Sequence, residues 1–486
     1  MKTIYTTQLL KKITTLLLLV LALTGVTKAQ DMTAYNLGGV PQTYMLNPAF
    51  QPECNIYLGA PGLGHFNVNA FNSDIHLQDI FWADPETDSV IHPWHPNANK
   101  QEFLDKLSDY NITRIKHSMA LASFGFRVQE MYFHFSAIQK EDLTLTLPKD
   151  VFAATLDKNI RTGYDFSGLE ANASAYMEVA VGVSRNFGDF LQVGIRPKMY
   201  LGQGIVKGRF DNYNIGVSKD EITFDGNAQV YSAGPGFAIP VTQGDMDLDS
   251  SITELTENPG EIPSRLTGNR GLGIDIGVNY KPIDNLDVYA SVIDLGYINW
   301  KKYTSVAKGS FSDSYLGFDL NDSTDGGGDS ELLDSAFFSD DIPVTNEAFK
   351  TNMTPSIYVG GEYAVTSSIS LGALYKGTIY TDNMLHDLAL TANLRPSKIF
   401  NVSATYQPLD RVKNKFGLGF SIRLGPLSMY WITDDISLTF YDMKGLTIPA
   451  TQNNYNIRFG LNLLFGCNKN KKLMKDKPLM YSGNNY

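Results

Sequence analysis

From residue 55 onward, apolar and polar positions alternate with a period of two, and little of the chain has helical spacing. Between 171 and 184, Met177, Val179, Val181 and Val183 share one side while Ser174, Glu178, Gly182 and Ser184 share the other. Successive strand side chains point to opposite faces, so a segment of this kind has one apolar and one polar face. The same holds for Leu272, Ile274, Ile276, Val278 and Tyr280 against Gly273, Asp275, Gly277 and Asn279. It holds again for Phe416, Leu418, Phe420, Ile422 and Leu424. The polar faces are small, built from Gly, Ser, Asn and isolated charges. A transmembrane barrel turns its apolar face to lipid and such a face to its lumen. A soluble sandwich also alternates, so the lengths of the connections are what decide.

The pattern predicts fourteen strands, near 55–71, 117–128, 131–139, 170–186, 189–204, 270–281, 285–299, 355–364, 367–380, 385–395, 398–407, 414–424, 426–437 and 453–466. Links after even strands are short, such as Gln129-Glu130, Phe187-Gly188 and Gly425. Four links after odd strands are long: 72–116, 140–169, 205–269 and 300–354. This sorting is the plan of an outer-membrane barrel, and an even strand count puts both ends on the short-turn, periplasmic side. The expected fold is therefore all-β, a closed antiparallel transmembrane β-barrel of about 14 strands with long extracellular loops. Short helices are expected near 100–110 and 150–159, and a hairpin near 209–232.

Lipid tolerates no unpaired strand edge, so the first strand must pair with the last. Closure brings Cys54, before the first strand, and Cys467, after the last, to one rim. A disulfide between them is one outcome in an oxidising compartment and two free thiols the other. Lys2, Lys11 and Lys12 precede an apolar stretch from Ile13 to Val26, and Thr27-Lys28-Ala29 supplies the small residues of a cleavage site. Residues 1–29 are read as a secretory signal peptide. No later apolar run reaches the length of a transmembrane helix. Residues 467–486, with five lysines against one aspartate, form a basic periplasmic tail.

Only 19% of the 486 residues are charged and the net charge is −11, which with no basic stripe argues against nucleic-acid binding. Two cysteines exclude a disulfide-dense scaffold and a Cys-rich zinc site. By strand parity Arg127, Glu178, Arg196, Lys198, Asp275, Glu362, Lys376, Arg423 and Arg458 face the lumen, where pairing with one another is favoured over a polar channel. Pro197 cannot donate to a ladder and predicts a bulge in the fifth strand. His76 and His92-Pro93-Trp94-His95 lack a metal-ligand spacing. The acidic stretch 309–349, with Asp319, Asp322, Asp325, Asp329 and Glu331, lacks the EF-hand pattern. No nucleophile elbow, phosphate-cradling loop or metalloprotease helix is found. The expectation is thus a non-enzyme without metal or cofactor.

Several segments carry a family resemblance. They are Tyr44-Met-Leu-Asn-Pro-Ala-Phe50, Ser123-Phe-Gly-Phe-Arg127, Asp294-Leu-Gly-Tyr-Ile-Asn-Trp300, Leu424-Gly-Pro-Leu-Ser-Met-Tyr430, Thr433-Asp434 and Ile457-Arg-Phe-Gly-Leu-Asn-Leu463. With them the chain resembles an uncharacterised outer-membrane family of Bacteroidota, itself similar to the fourteen-stranded FadL-like long-chain fatty-acid transporters. Asn47, Pro48 and Ala49 resemble the NPA of that superfamily's N-terminal plug, and also the start of PorV- and PorP-type proteins linked to type IX secretion and gliding. The resemblance implies a plug at 30–54 inside a barrel at 55–466. It implies outer-membrane lipid as surroundings and hydrophobic small molecules or secretion-machinery proteins as partners. Two functions follow. Passage of hydrophobic small molecules predicts a continuous apolar pocket between plug and wall. A non-transporting role in secretion or attachment predicts a filled lumen.

Overall fold

The computed structural model describes residues 31–84, 90–156, 161–219, 221–234, 268–315, 342–380, 384–397, 399–408, 415–436, 440–443, 446–449 and 454–467. The expected signal peptide, the expected basic tail beyond Cys467 and residues 316–341 of the acidic stretch lie outside them.

Fourteen antiparallel strands close into one barrel. They are β1 (Ile56–Gly59 and Phe66–Asn72), β2 (Tyr110–Val128), β3 (Met131–Pro148), β4 (Glu170–Phe187), β5 (Leu191–Val217), β6 (Asn269–Ile283) and β7 (Leu286–Trp300). β8 (Phe349–Asn352 and Ser356–Ala364), β9 (Ile369–Ile379), β10 (Met384–Leu394), β11 (Phe400–Gln407), β12 (Lys415–Leu424), β13 (Leu427–Thr433) and β14 (Asn454–Phe465) follow. β14 pairs with β1 through Ile56↔Phe465 and Phe66↔Phe459, which completes the ring.

The parity of the strands divides the barrel as lipid requires. Phe124, Phe126 and Val128 of β2, Val193, Ile195 and Met199 of β5, and Leu463 and Phe465 of β14 are exposed on the outer face. Intervening positions such as Tyr132, Glu178, Arg196 and Asp275 are buried inside. The upper edge of the band is visible on β3, where Phe133 and Phe135 are followed on the same face by Gln139 and Glu141. There Glu141 meets His117 of β2. Above that edge β5 continues into a hairpin with Ile222–Ala233, which pairs in turn with Thr304–Tyr315. Helices Lys100–Lys106 and Lys149–Leu156 join this extension around Phe103, Leu104, Leu156, Tyr213, Phe224 and Phe311.

Two wall irregularities bear on the interior. The expected bulge at Pro197 is absent. The β4–β5 ladder skips from Ala180↔Lys198 to Val183↔Ile195 in unchanged register, because only the missing N–H is lost and no residue is inserted. β1 instead breaks at Ala60–His65, six residues facing Gly460 and Leu461 of β14. Its turn, with Gly62 at φ 73°, exposes Leu63 outward and buries Gly64 and His65.

Candidate functional site

Residues 31–54 fold into the short-turn end of the lumen. The helix α1 (Met32–Asn36) is buried along its whole length. A helix start leaves backbone N–H groups without partners, and Asp31 makes no side-chain cap for them. Asp434, just past β13, takes that task, its carboxylate accepting the N–H groups of Asp31 at 2.9 Å and Thr33 at 2.8 Å. The Asp31 carboxylate pairs with Arg458 and lies 4.0 Å from Lys376. Tyr35 stacks on Tyr358 with ring centres 5.1 Å apart, meets Phe50 edge-on at 5.2 Å, and shares a hydrogen bond with Ser291 at 3.1 Å. A 3-10 turn, Pro41–Met45, leads to the Asn-Pro-Ala segment.

Asn47 donates to the Tyr35 hydroxyl at 3.0 Å and to the wall carbonyl of Val278 at 3.3 Å, and accepts from the Ala49 N–H at 3.0 Å. The wall yields to it at one place. Gly194 and Gly277 face each other across β5 and β6, and a Cβ on either would fall under 3.0 Å from the Pro48 backbone or the Asn47 side chain. Gly417 is equally close beneath Thr33. Inward glycines are therefore the seat of the plug. Its exit is held by Arg127, which donates to Gln51 and to the Pro52 carbonyl at 2.7 Å, and by Arg423, 3.5 Å from Glu53. Cys54 and Cys467 are disulfide-bonded in the structure, Cα atoms 4.0 Å apart.

Four of the parity-assigned charges meet in one buried network. Arg196 bonds Glu178 at 2.5 Å and Asp275 at 2.9 Å. Lys198 lies 2.7 Å from Asp275 and 3.4 Å from Glu178. Two members were missed. Lys140 of β3 reaches Glu178 at 2.7 Å, and Asp294 of β7 reaches Lys198 at 2.6 Å. Lys140 lies just past the predicted end of its strand. Asp294 turns inward at a bulge, with φ 59° and its N–H on Asp275 at 2.7 Å. Three cations thus face three carboxylates, the pairing that buried charge demands. Glu362 sits apart, bonded by Arg395 and Asn393, each at 3.0 Å, and by Ser370.

A cavity of about 190 Å³ lies in the lumen toward the long loops. Its floor is the plug, through Asp31, Ala34, Val40, Gln42, Thr43 and Leu46. Its walls include the network's Lys140, Glu178, Arg196, Lys198 and Asp294, together with the cations Arg114, Lys116, Lys376 and Arg458 and the carboxylates Glu141, Asp142 and Asp387. The continuous apolar pocket expected for hydrophobic passage is not what this cavity offers. The plug's apolar side chains Met32, Tyr35, Leu37 and Phe50 are used up in a core with Tyr289, Tyr358, Leu374 and Ile432, so that Val40, Leu46, Ile138 and Ile293 line the space only in patches among the charges. Among the described residues no His, Cys, Asp and Glu side chains cluster as a metal site.

A closed barrel with an apolar outer band and a chain segment seated in its lumen is a plugged transmembrane β-barrel. The chain belongs to a family described as a family of unknown function (DUF5723), whose model matches residues 48–434. No curated protein matches it. Among solved structures it is similar to the Ralstonia pickettii toluene transporter TbuX at 9% identity and a TM-score of 0.43, covering 89% of this chain and 97% of that one. A Pseudomonas aeruginosa FadL homologue matches at 10% identity and a TM-score of 0.43, covering 91% and 100%. The Pseudomonas putida toluene transporter TodX matches at 8% identity and a TM-score of 0.38, covering 90% and 98%. These likenesses are remote, and the architecture rests on the pairing of this chain's own strands.

Proposed function

We propose that this protein is an outer-membrane barrel that takes small molecules into its lumen from the extracellular side and holds them above a plug that gates passage. One observation carries the reading: the lumen cavity is floored by the plug itself, so that whatever occupies it touches the element that would have to move. The apolar outer band supports a membrane setting. The resemblance to FadL-like proteins implies hydrophobic cargo, whereas the charged walls suit a polar one.

A non-transporting role, in secretion machinery or attachment, is favoured by a different observation. The plug is fastened at many points, covalently at Cys54, so the lumen beneath the cavity is filled. Liposome swelling with the reconstituted barrel separates the two. Passage predicts faster entry of small sugars or amino acids than in protein-free vesicles, with a rise on reducing the Cys54–Cys467 bond. Rates equal to those of protein-free vesicles for every solute, before and after reduction, would establish the non-transporting role.

A further inference from the structure

The charges around the cavity are not uniformly matched. Lys116 has Asp142 at 3.0 Å. Lys140, Arg196 and Lys198 share Glu178, Asp275 and Asp294. Arg458 pairs with Asp31, and Lys376 lies 4.0 Å from the same carboxylate. Arg114 differs. Its guanidinium donates to the Tyr380 hydroxyl at 2.9 Å and lies 4.8 Å from the centre of that ring. Among the described residues it meets no carboxylate, and its Nε is buried without a hydrogen-bond partner. A guanidinium carries five N–H donors in a planar fork that matches a carboxylate in two parallel bonds. Tyr380 takes one of the five and the Nε–H is closed off from the cavity, which leaves the remaining Nη donors for a ligand.

Size narrows the ligand. An apolar cavity of about 150 Å³ holds benzene, so a space of about 190 Å³ admits a molecule of benzoate or amino-acid size. A long acyl chain needs more, since pockets for drug-sized ligands begin at about 300 Å³. Chemistry narrows it further. A hydrocarbon here would displace water from paired charges and give them no hydrogen bonds in return. An oxyanion instead satisfies Arg114 beside Lys116, two residues along the same face of β2.

We propose that the lumen cavity binds a compact organic anion whose carboxylate docks on Arg114. This rests on the reading that small molecules occupy the lumen, and it names their class. The test uses three probes of one size: benzoate, benzamide and toluene. Their binding to the detergent-purified full-length barrel is followed by saturation-transfer NMR and calorimetry, beside the swelling assay. Benzoate is expected to bind at least about tenfold more tightly than benzamide or toluene, as a charge-assisted pair should. R114Q should erase that preference and R114K keep most of it, with both variants retaining the heat-modifiable gel mobility of a folded barrel. Equal binding of the three probes, tighter binding of toluene, no binding of benzoate, or a preference unchanged in R114Q would each overturn the proposal. If swelling shows passage while the preference is missing, the anion site fails and the gated barrel stands. A preference without passage keeps the site and removes the gate.

Discussion

At Gly194 the wall meets the backbone of the plug rather than a side chain, which makes it the sharpest place to test whether the plug is seated as described. In Gly194→Ala the new methyl falls well under 3.0 Å from the carbonyl of Pro48, against an ordinary contact of 3.4–4 Å. One backbone must move by about 1 Å, because neither neighbour is a flexible side chain. The wall is held by its ladders, Ser184↔Gly194 on one side and Gly277↔Gly194 on the other, so the plug should give way. Its displacement loses the bonds from Asn47 to Tyr35 and Val278, each about 1 kcal/mol. Overpacking without displacement costs about 1–3 kcal/mol. Either route gives a destabilisation of roughly 2–3 kcal/mol. The control is Gly208→Ala, where the nearest atom to the new methyl is Val230 Cγ2 at 3.7 Å. Urea unfolding in detergent, read by gel mobility and tyrosine fluorescence, compares the two. Coincident midpoints for Gly194→Ala and Gly208→Ala would refute the seating of Pro48 on β5.

Cys54→Ser should lower stability by about 2–4 kcal/mol, under a chain-entropy ceiling of about 6 kcal/mol for a sequence separation of 413, as measured by urea unfolding with and without reductant. An unchanged midpoint would mean that β14–β1 pairing alone fixes that rim. Asp434→Ala strips two buried N–H groups of their acceptor and should cost about 1–3 kcal/mol, with faster hydrogen exchange across 31–36. Exchange there as slow as in the unaltered protein would show that α1 does not depend on this cap. In the loop between β1 and β2, burial alone would raise the Asp79 carboxyl, but the His76 ring and the Lys106 ammonium outweigh it and hold it below its ordinary value of 3.8. A carboxyl lowered on folding contributes stability above that value and loses it as the pH falls through the folded pKa. Limited proteolysis of this loop should therefore be flat from neutral pH down to about 4 and rise only below. A rise already near pH 6 would show that the Asp79 carboxyl does not set this dependence.

Strand parity was legible because the band has an apolar outside and a small polar inside, where Glu178, Arg196, Lys198, Asp275 and Glu362 are buried. Strand ends were less so. β2, β3 and β5 were expected to begin at 117 and to end at 139 and 204, yet they run to Tyr110, Pro148 and Val217. Beyond the lipid both faces of a strand meet water or the loop cap, so the apolar signal stops while the ladder continues. Lys140 was hidden for that reason. Asp294 was hidden for another. Tyr289 and Ile293 face inward at odd positions, Ile298 and Trp300 at even ones, and the bulge between them reverses the parity at Asp294. The glycines were visible as small residues, but a seat is a relation between β5, β6 and residue 48 that no one-dimensional pattern contains.

The fastenings of the plug differ along its length, and the difference runs parallel to the cavity. At the exit, Cys54 is bonded to Cys467, and Arg127 and Arg423 hold Gln51, Pro52 and Glu53. In the middle, Asn47 and Pro48 are wedged against Gly277 and Gly194. At the start there is no covalent tie. Asp31 is held by Arg458 and by the Asp434 cap, and Asp31 itself lines the cavity. Ionic contacts beside water exchange partners far more readily than a disulfide or a backbone wedged between glycines. Asp31 is the charged group of the plug that lines the cavity, and there Arg458 and Lys376 both stand at its carboxylate. A ligand that competes for those cations would act on α1 and leave the Cys54 end in place.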